Sequence, residues 1–312
     1  MMSNAKVASS KKNNAPLWIW VAAGALALLF LGVSYCWFFQ ADSYEQFNPK
    51  RLESFAAPGS KKTLRVAVIG TSLTCNAFYK DDAMERLAKD RGRNIRFLRF
   101  TLGGGSLNEF YDLSEAVINS AADIIFFEAA IFGLAMGNDN VTLDRYRYYL
   151  RHGGTRFLAR LPFVPKRRRS EKQNENYTDI EPSLTPFSGQ NPEEETELYL
   201  ERISRFRIRD FSEGKKFASL FRLAKARGKV VVMLDLSRSK KAWDMLPAGF
   251  EGEFAQTMRH YEKDAGISYL RFPQRLPLNY FQDYAHFGAK GRRLYSEWFL
   301  ANLGSLSGEA RK

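Results

Sequence analysis

Val66-Ala67-Val68-Ile69-Gly70-Thr71-Ser72-Leu73-Thr74 decides how the rest of the chain is read. Four apolar residues in a row suit a short strand buried on both faces, as in a parallel sheet. Gly70 ends the run, and Ser72 stands at its exit. Outward from here strands and helices alternate. The strand over Leu64–Ile69 is followed by a helix over Asp81–Lys89 and a strand over Ile95–Thr101. The turn Gly103-Gly104-Gly105-Ser106, a helix over about Leu107–Asn119 and a strand over Ile124–Phe127 come next. Far downstream lie an apolar run at Val230–Leu234, a helix near Phe254–Ala265 and a short strand at Tyr269–Phe272. A last helix, roughly Lys290–Leu303, places Leu294, Trp298 and Leu303 on one apolar face. This alternation predicts an α/β fold of three layers, α/β/α, around a parallel five-stranded sheet.

The rhythm breaks over about 137–215. Lys166-Arg167-Arg168-Arg169 is a basic block, and 170–192 is rich in Asn, Ser, Pro and Glu. An insertion of this length suits a lid, a binding loop or disorder. An arginine-rich helix is expected after it, carrying Arg202, Arg205, Arg207 and Arg209.

The N-terminus has a different character. Residues 1–16 are polar, with Lys6, Lys11 and Lys12 and no acid, and Leu17 to Phe39 then carries no charge. A helix of 23 residues at about 1.5 Å each crosses a hydrocarbon core of roughly 30 Å. Trp18 and Trp20 at one end and Trp37 at the other fit interfacial aromatic belts. A cleaved signal would end in small residues, whereas this run ends in Tyr35-Cys36-Trp37-Phe38-Phe39. The expectation is a cytoplasmic tail (1–16), one transmembrane helix (17–39), a polar tether (40–62) and a domain over 63–312. With basic residues alone on the N-terminal flank, the tail stays inside and the domain is exported, periplasmic or otherwise extracytoplasmic.

The 312 residues carry 47 Lys and Arg against 34 Asp and Glu, a net charge of +13. That balance suits an anionic surface or polymer. On an exported domain it points to envelope components, not nucleic acid. Of the two cysteines, Cys36 lies in the apolar run and Cys75 just after Ser72, so no disulfide between them is expected. Cys75 reads as a small buried residue. Only His152, His260 and His286 are present and no metal-ligand spacing occurs, so no metal is expected. His152 and His260 read as surface residues.

A strand ending in glycine also opens dinucleotide-binding folds, but those need Gly-x-Gly-x-x-Gly at the turn. Gly70-Thr71-Ser72-Leu73-Thr74-Cys75 has a single glycine, and no Gly-Lys-Ser/Thr ending follows. Asp283-Tyr284-Ala285-His286 supplies what Ser72 needs instead. Three residues of separation on a tight loop let Asp283 accept from one imidazole nitrogen while the other takes the proton of Ser72.

Gly70-Thr71-Ser72-Leu73 after a first strand resembles the Gly-Asp-Ser-Leu block of the SGNH, or GDSL-like, hydrolase superfamily. Asp283-x-x-His286, followed by Phe287-Gly288-Ala289-Lys290-Gly291, resembles its last block. The resemblance implies an SGNH (flavodoxin-like) fold with Ser72 as nucleophile, His286 as base and Asp283 as its partner, and no cofactor. It further implies an oxyanion donor at Gly104, with Gly105 a close rival, beside the N–H of Ser72 itself. Two departures stand out: Thr71 replaces the usual aspartate, and no asparagine directly follows Ile124–Ala130, Asn138 lying several residues late.

Anchored, exported members of that superfamily often add or remove O-acetyl groups on envelope or secreted polysaccharides, and the resemblance implies that substrate class. The expected function is therefore a serine esterase or O-acyltransferase on an envelope or secreted polysaccharide, working beside other envelope-biosynthesis proteins. A lipid esterase or lysophospholipase at the membrane, and a non-catalytic glycan-binding or assembly scaffold on the same fold, are the alternatives.

Overall fold

The structure is a computed structural model that describes residues 16–39, 49–56, 63–102, 107–136, 196–197, 199–200, 203 and 206–309, with backbone alone at 30–39, 108 and 307–309. The apolar N-terminal run is one α-helix, α1 (Leu17–Phe39), in a compact unit apart from the body that carries the sheet. Every described side chain of α1, over 17–29, is exposed. Among the residues described with side chains, no helix is long and apolar enough to cross a membrane. Of the expected tether, Pro49–Leu52 form a 3-10 turn and α2 (Glu53–Ala56) follows. Phe55 is buried in the core of the body, so this stretch packs as part of the domain.

The body is the three-layer α/β/α arrangement. Its five strands are β1 (Leu64–Gly70), β2 (Ile95–Thr101), β3 (Ile124–Glu128), β6 (Val230–Leu234) and β7 (Ser268–Leu270), all parallel in the order β2-β1-β3-β6-β7. Both faces are covered, which is why these strands read as continuous apolar runs. One face sends Ala67, Ile69, Phe100, Ile125, Phe127 and Met233 into a cluster with α5 (Leu107–Asn119), α7 (Phe211–Ala226) and α9 (Phe250–Ala265). The other sends Val66, Val68, Phe97, Phe126, Val232 and Leu234 against α4 (Asp81–Lys89) and the C-terminal helix α10 (Ala289–Glu309). Phe299 of α10 meets the rings of Phe78, Phe97 and Phe126 at 4.9, 6.1 and 4.7 Å. Such rings dominate core energetics.

Local signals set the helix ends. Helix α4 has Asp81 and Asp82 in its first turn and Arg86 and Lys89 in its last, complementing the helix dipole. Helix α7 opens on a capping box between Asp210 and Glu213.

The arginine-rich helix is corrected at the positions described. Phe206–Ile208 form β5, antiparallel to β4 (Leu134–Met136), and Arg207 alternates outward on it. Arg207 and Arg209 both reach Glu213 of α7, an ion-paired strand edge in place of a charged helix face. Arg202 and Arg205 lie outside the described residues.

Candidate active site

The strand order reverses at β1, with β2 on one side and β3 on the other. Crevices at such switch points, at the carboxyl ends of the strands, are where α/β sheets hold ligands. Ser72 sits there as the first residue of the short helix α3 (Ser72–Ala77). Thr71 caps this helix, its hydroxyl accepting from Leu73 N–H at 3.2 Å, and Cys75 N–H donates to the Thr71 carbonyl at 3.1 Å.

His286 comes from the loop before α10. Phe281 and Phe287 close the loop as an antiparallel bridge with their rings stacked at 4.8 Å, and Gln282 N–H donates to the His286 carbonyl at 2.9 Å. Within it Asp283 forms an Asx turn, one oxygen accepting from the N–H groups of Ala285 and His286, both at 2.7 Å. Its other oxygen lies 2.7 Å from His286 Nδ1, and His286 Nε2 lies 2.9 Å from Ser72 Oγ. A carboxylate fixed on Nδ1 holds the proton there and leaves the Nε2 lone pair facing the serine. Burial pushes the Asp283 carboxyl up. The hydrogen bond and charge of His286, with the two loop N–H groups, more than offset that and hold it below the usual value.

Asn76 of α3 ties the two segments together. Its Nδ2 donates to the Ser72 carbonyl at 2.8 Å, while its Oδ1 accepts from Gln282 Nε2 at 2.6 Å. Arg292 Nε, buried on α10, donates to the Asn76 carbonyl at 3.0 Å.

The structure thus brings Ser72, His286 and Asp283 together. Gly104, Gly105 and Asn138 lie outside the described residues, as does His152. His260 is exposed on α9, and Cys75 is half-buried and forms no disulfide among the described residues. Among the described residues no His, Cys, Asp and Glu group could hold a metal ion.

Beside Leu73, the residue after the serine, lies a cavity of about 20 Å³ walled by Ala130, Leu236, Trp243, Leu246 and Asp235. A wider open groove, about 840 Å³, runs along β5 and α9, and none of the three residues above lines it.

Asp235, the residue after β6, is part-buried, and among the described residues no donor hydrogen-bonds its carboxyl. Burial pushes its pKa up to about 6, Arg271 and Arg238 opposing and Glu251 adding to the rise. The folded state therefore holds a proton that the unfolded chain releases near its ordinary pKa of 3.8. An acid shifted this way costs nothing below that value, and its cost is complete above about pH 6. Asp235→Asn should raise unfolding stability near neutral pH by about 1–3 kcal/mol. In denaturant titrations the gain should fade as pH is lowered towards the ordinary value; a gain independent of pH would contradict it.

No family model matches the chain, and no curated protein matches it. Solved structures do resemble it at low identity. The structure of TesA is 10% identical with a TM-score of 0.37, the match covering 76% of this chain and 97% of that one. A member of the lipolytic protein G-D-S-L family from Veillonella parvula is 13% identical, TM-score 0.36, over 76% and 97%. An extracellular lipase from Streptomyces rimosus is 11% identical, TM-score 0.39, over 77% and 98%.

Proposed function

We propose that this chain is a membrane-anchored serine esterase or O-acyltransferase that removes or transfers acetyl groups on a polysaccharide of the cell envelope or a secreted one. The relay Ser72 Oγ–His286 Nε2–Nδ1–Asp283, at 2.9 and 2.7 Å, carries the reading. Ser72 Oγ attacks the ester carbonyl as His286 Nε2 takes its proton, and Asp283 steadies the imidazolium. The tetrahedral oxyanion lies against Ser72 N–H, with Gly104 as the second donor. Collapse expels the alcohol, which takes the proton back from His286 and leaves an acyl group on Ser72. Water or a sugar hydroxyl then repeats the sequence in reverse.

The polar composition of 166–200 weighs against the lipid reading, and the intact relay weighs against the non-catalytic scaffold.

The anchor rests on α1. Its 23 residues carry no charge and rise about 34 Å, and its described side chains are exposed apolar groups with Trp18 and Trp20 near one end. With the basic tail inside, the body faces outward, where a +13 chain meets anionic polymers.

The test compares the O-acetyl content of envelope and secreted polysaccharides in cells producing this chain or its Ser72→Ala variant. A Ser72-dependent change is expected. Identical acetylation would transfer the assignment to lipid esters or to scaffolding.

A further inference from the structure

Glu128 ends β3 and is 1% exposed. Its Oε2 accepts from Thr71 N–H at 2.6 Å and from Thr74 Oγ1 at 2.7 Å, and Thr71 Oγ1 donates to Oε1 at 2.8 Å. Three donors from one turn thus converge on a buried carboxylate, two of them from the residue preceding Ser72. Among the described residues no Lys or Arg forms an ion pair with it. What faces the charge is the Thr71 N–H and the hydroxyls of Thr71 and Thr74. The opposite end of α3 is held by cations. Arg99, 4% exposed, donates to the carbonyls of Cys75 at 2.6 Å and Phe78 at 2.8 Å, and Arg292 donates to that of Asn76.

Gly70 makes the approach possible. A Cβ there would lie 1.7 Å from Thr74 Oγ1 and 2.7 Å from Glu128 Oε2, so any side chain would push the carboxylate off the turn.

We propose that Glu128 is the positioning residue for Ser72, an assignment that rests on the esterase reading. Its carboxylate fixes the pitch of the turn and so the 2.9 Å separation of Ser72 Oγ from His286. It also claims the Thr71 N–H, which leaves Ser72 N–H as the donor this turn turns towards the oxyanion. Charge-assisted bonds from a rigid strand end hold a six-residue helix that has few bonds of its own.

Glu128→Gln keeps the shape and removes the charge. The full-length chain in detergent micelles is assayed on p-nitrophenyl acetate, with active sites titrated by a fluorophosphonate and melting followed in parallel. Displacing a nucleophile by a fraction of an ångström to 1 Å lowers kcat per titrated site by about tenfold to a hundredfold. KM should stay within about twofold, because the substrate pocket is untouched. If Glu128→Gln does not fold, Thr74→Val carries the comparison, since it removes one donor and leaves the charge; about a threefold to tenfold loss is expected. Turnover by the wild type with an unchanged kcat per site in the folded variant overturns the positioning role and leaves the esterase reading standing. A lower melting temperature at unchanged kcat per site reduces Glu128 to a structural residue and overturns it equally. Wild-type chain without Ser72-dependent turnover overturns the esterase reading and the positioning role with it.

Discussion

Ser72→Ala should lower turnover of an aryl acetate by at least about a thousandfold, with KM little changed. The loss follows from what the hydroxyl touches. Its oxygen is the atom 2.9 Å from His286 Nε2, and no other described hydroxyl makes that contact. Without it the imidazole has only water to activate. His286→Ala should cause a loss of similar size, and the double variant should be little worse than either alone, because the two groups act as one unit. Ser72→Ala should barely move the melting temperature, whereas His286→Ala also removes the partner of the Asp283 carboxylate and should melt lower. Steady-state kinetics with a melting curve checks all three statements.

Asp283→Asn should lower kcat by about a thousandfold to ten-thousandfold while the loop keeps its shape. The amide oxygen can still accept from Ala285 and His286 N–H, as Asp283 does at 2.7 Å. The amide nitrogen facing Nδ1 becomes a donor. His286 must then present a lone pair there and its proton on Nε2, the wrong tautomer for accepting from Ser72. A stability signature accompanies this. Because the folded state holds Asp283 below its ordinary value, the carboxylate contributes stability that is complete above that value. The contribution is lost as pH falls through the lower folded value. Acid unfolding of the wild type should therefore steepen there, and Asp283→Asn should lack that increment. Identical kcat in the variant would remove Asp283 from the relay.

The sheet was legible because its strands are buried on both faces and read as apolar runs. The order of elements, the helix Asp81–Lys89 and the strand Val230–Leu234 stand where the sequence places them. Boundaries drifted where turn geometry decides. Helix α9 starts at Phe250, after Gly249 at φ 86°, four residues before the apolar face at Phe254 announces it. The short β7 runs over Ser268–Leu270, and Phe272 beyond it packs on Tyr295 and Trp298. Helix α7 is hard to read in the sequence because it follows directly on a stretch of alternating arginines whose charges pair with its own Glu213.

At the site, Ser72, Asp283 and His286 were visible as residue types at meaningful spacing. Their supports were not. Asn76 and Gln282 are ordinary polar residues 206 positions apart, and only the fold sets them 2.6 Å from each other. Glu128 did leave a signal: a carboxylate closing the apolar strand Ile124-Ile125-Phe126-Phe127 is costly unless it has partners. Thr71 carries no carboxylate, and the one at this turn comes from the neighbouring strand.

The central claim is that Ser72 is an activated nucleophile, and covalent capture tests it most directly. Treating the folded full-length chain with a fluorophosphonate and mapping the adduct by peptide mass spectrometry should give one modified residue, Ser72. The adduct should be absent in Ser72→Ala and slow to form in Asp283→Asn. A folded chain that takes up no label, or one labelled equally well after Ser72→Ala, would contradict the account.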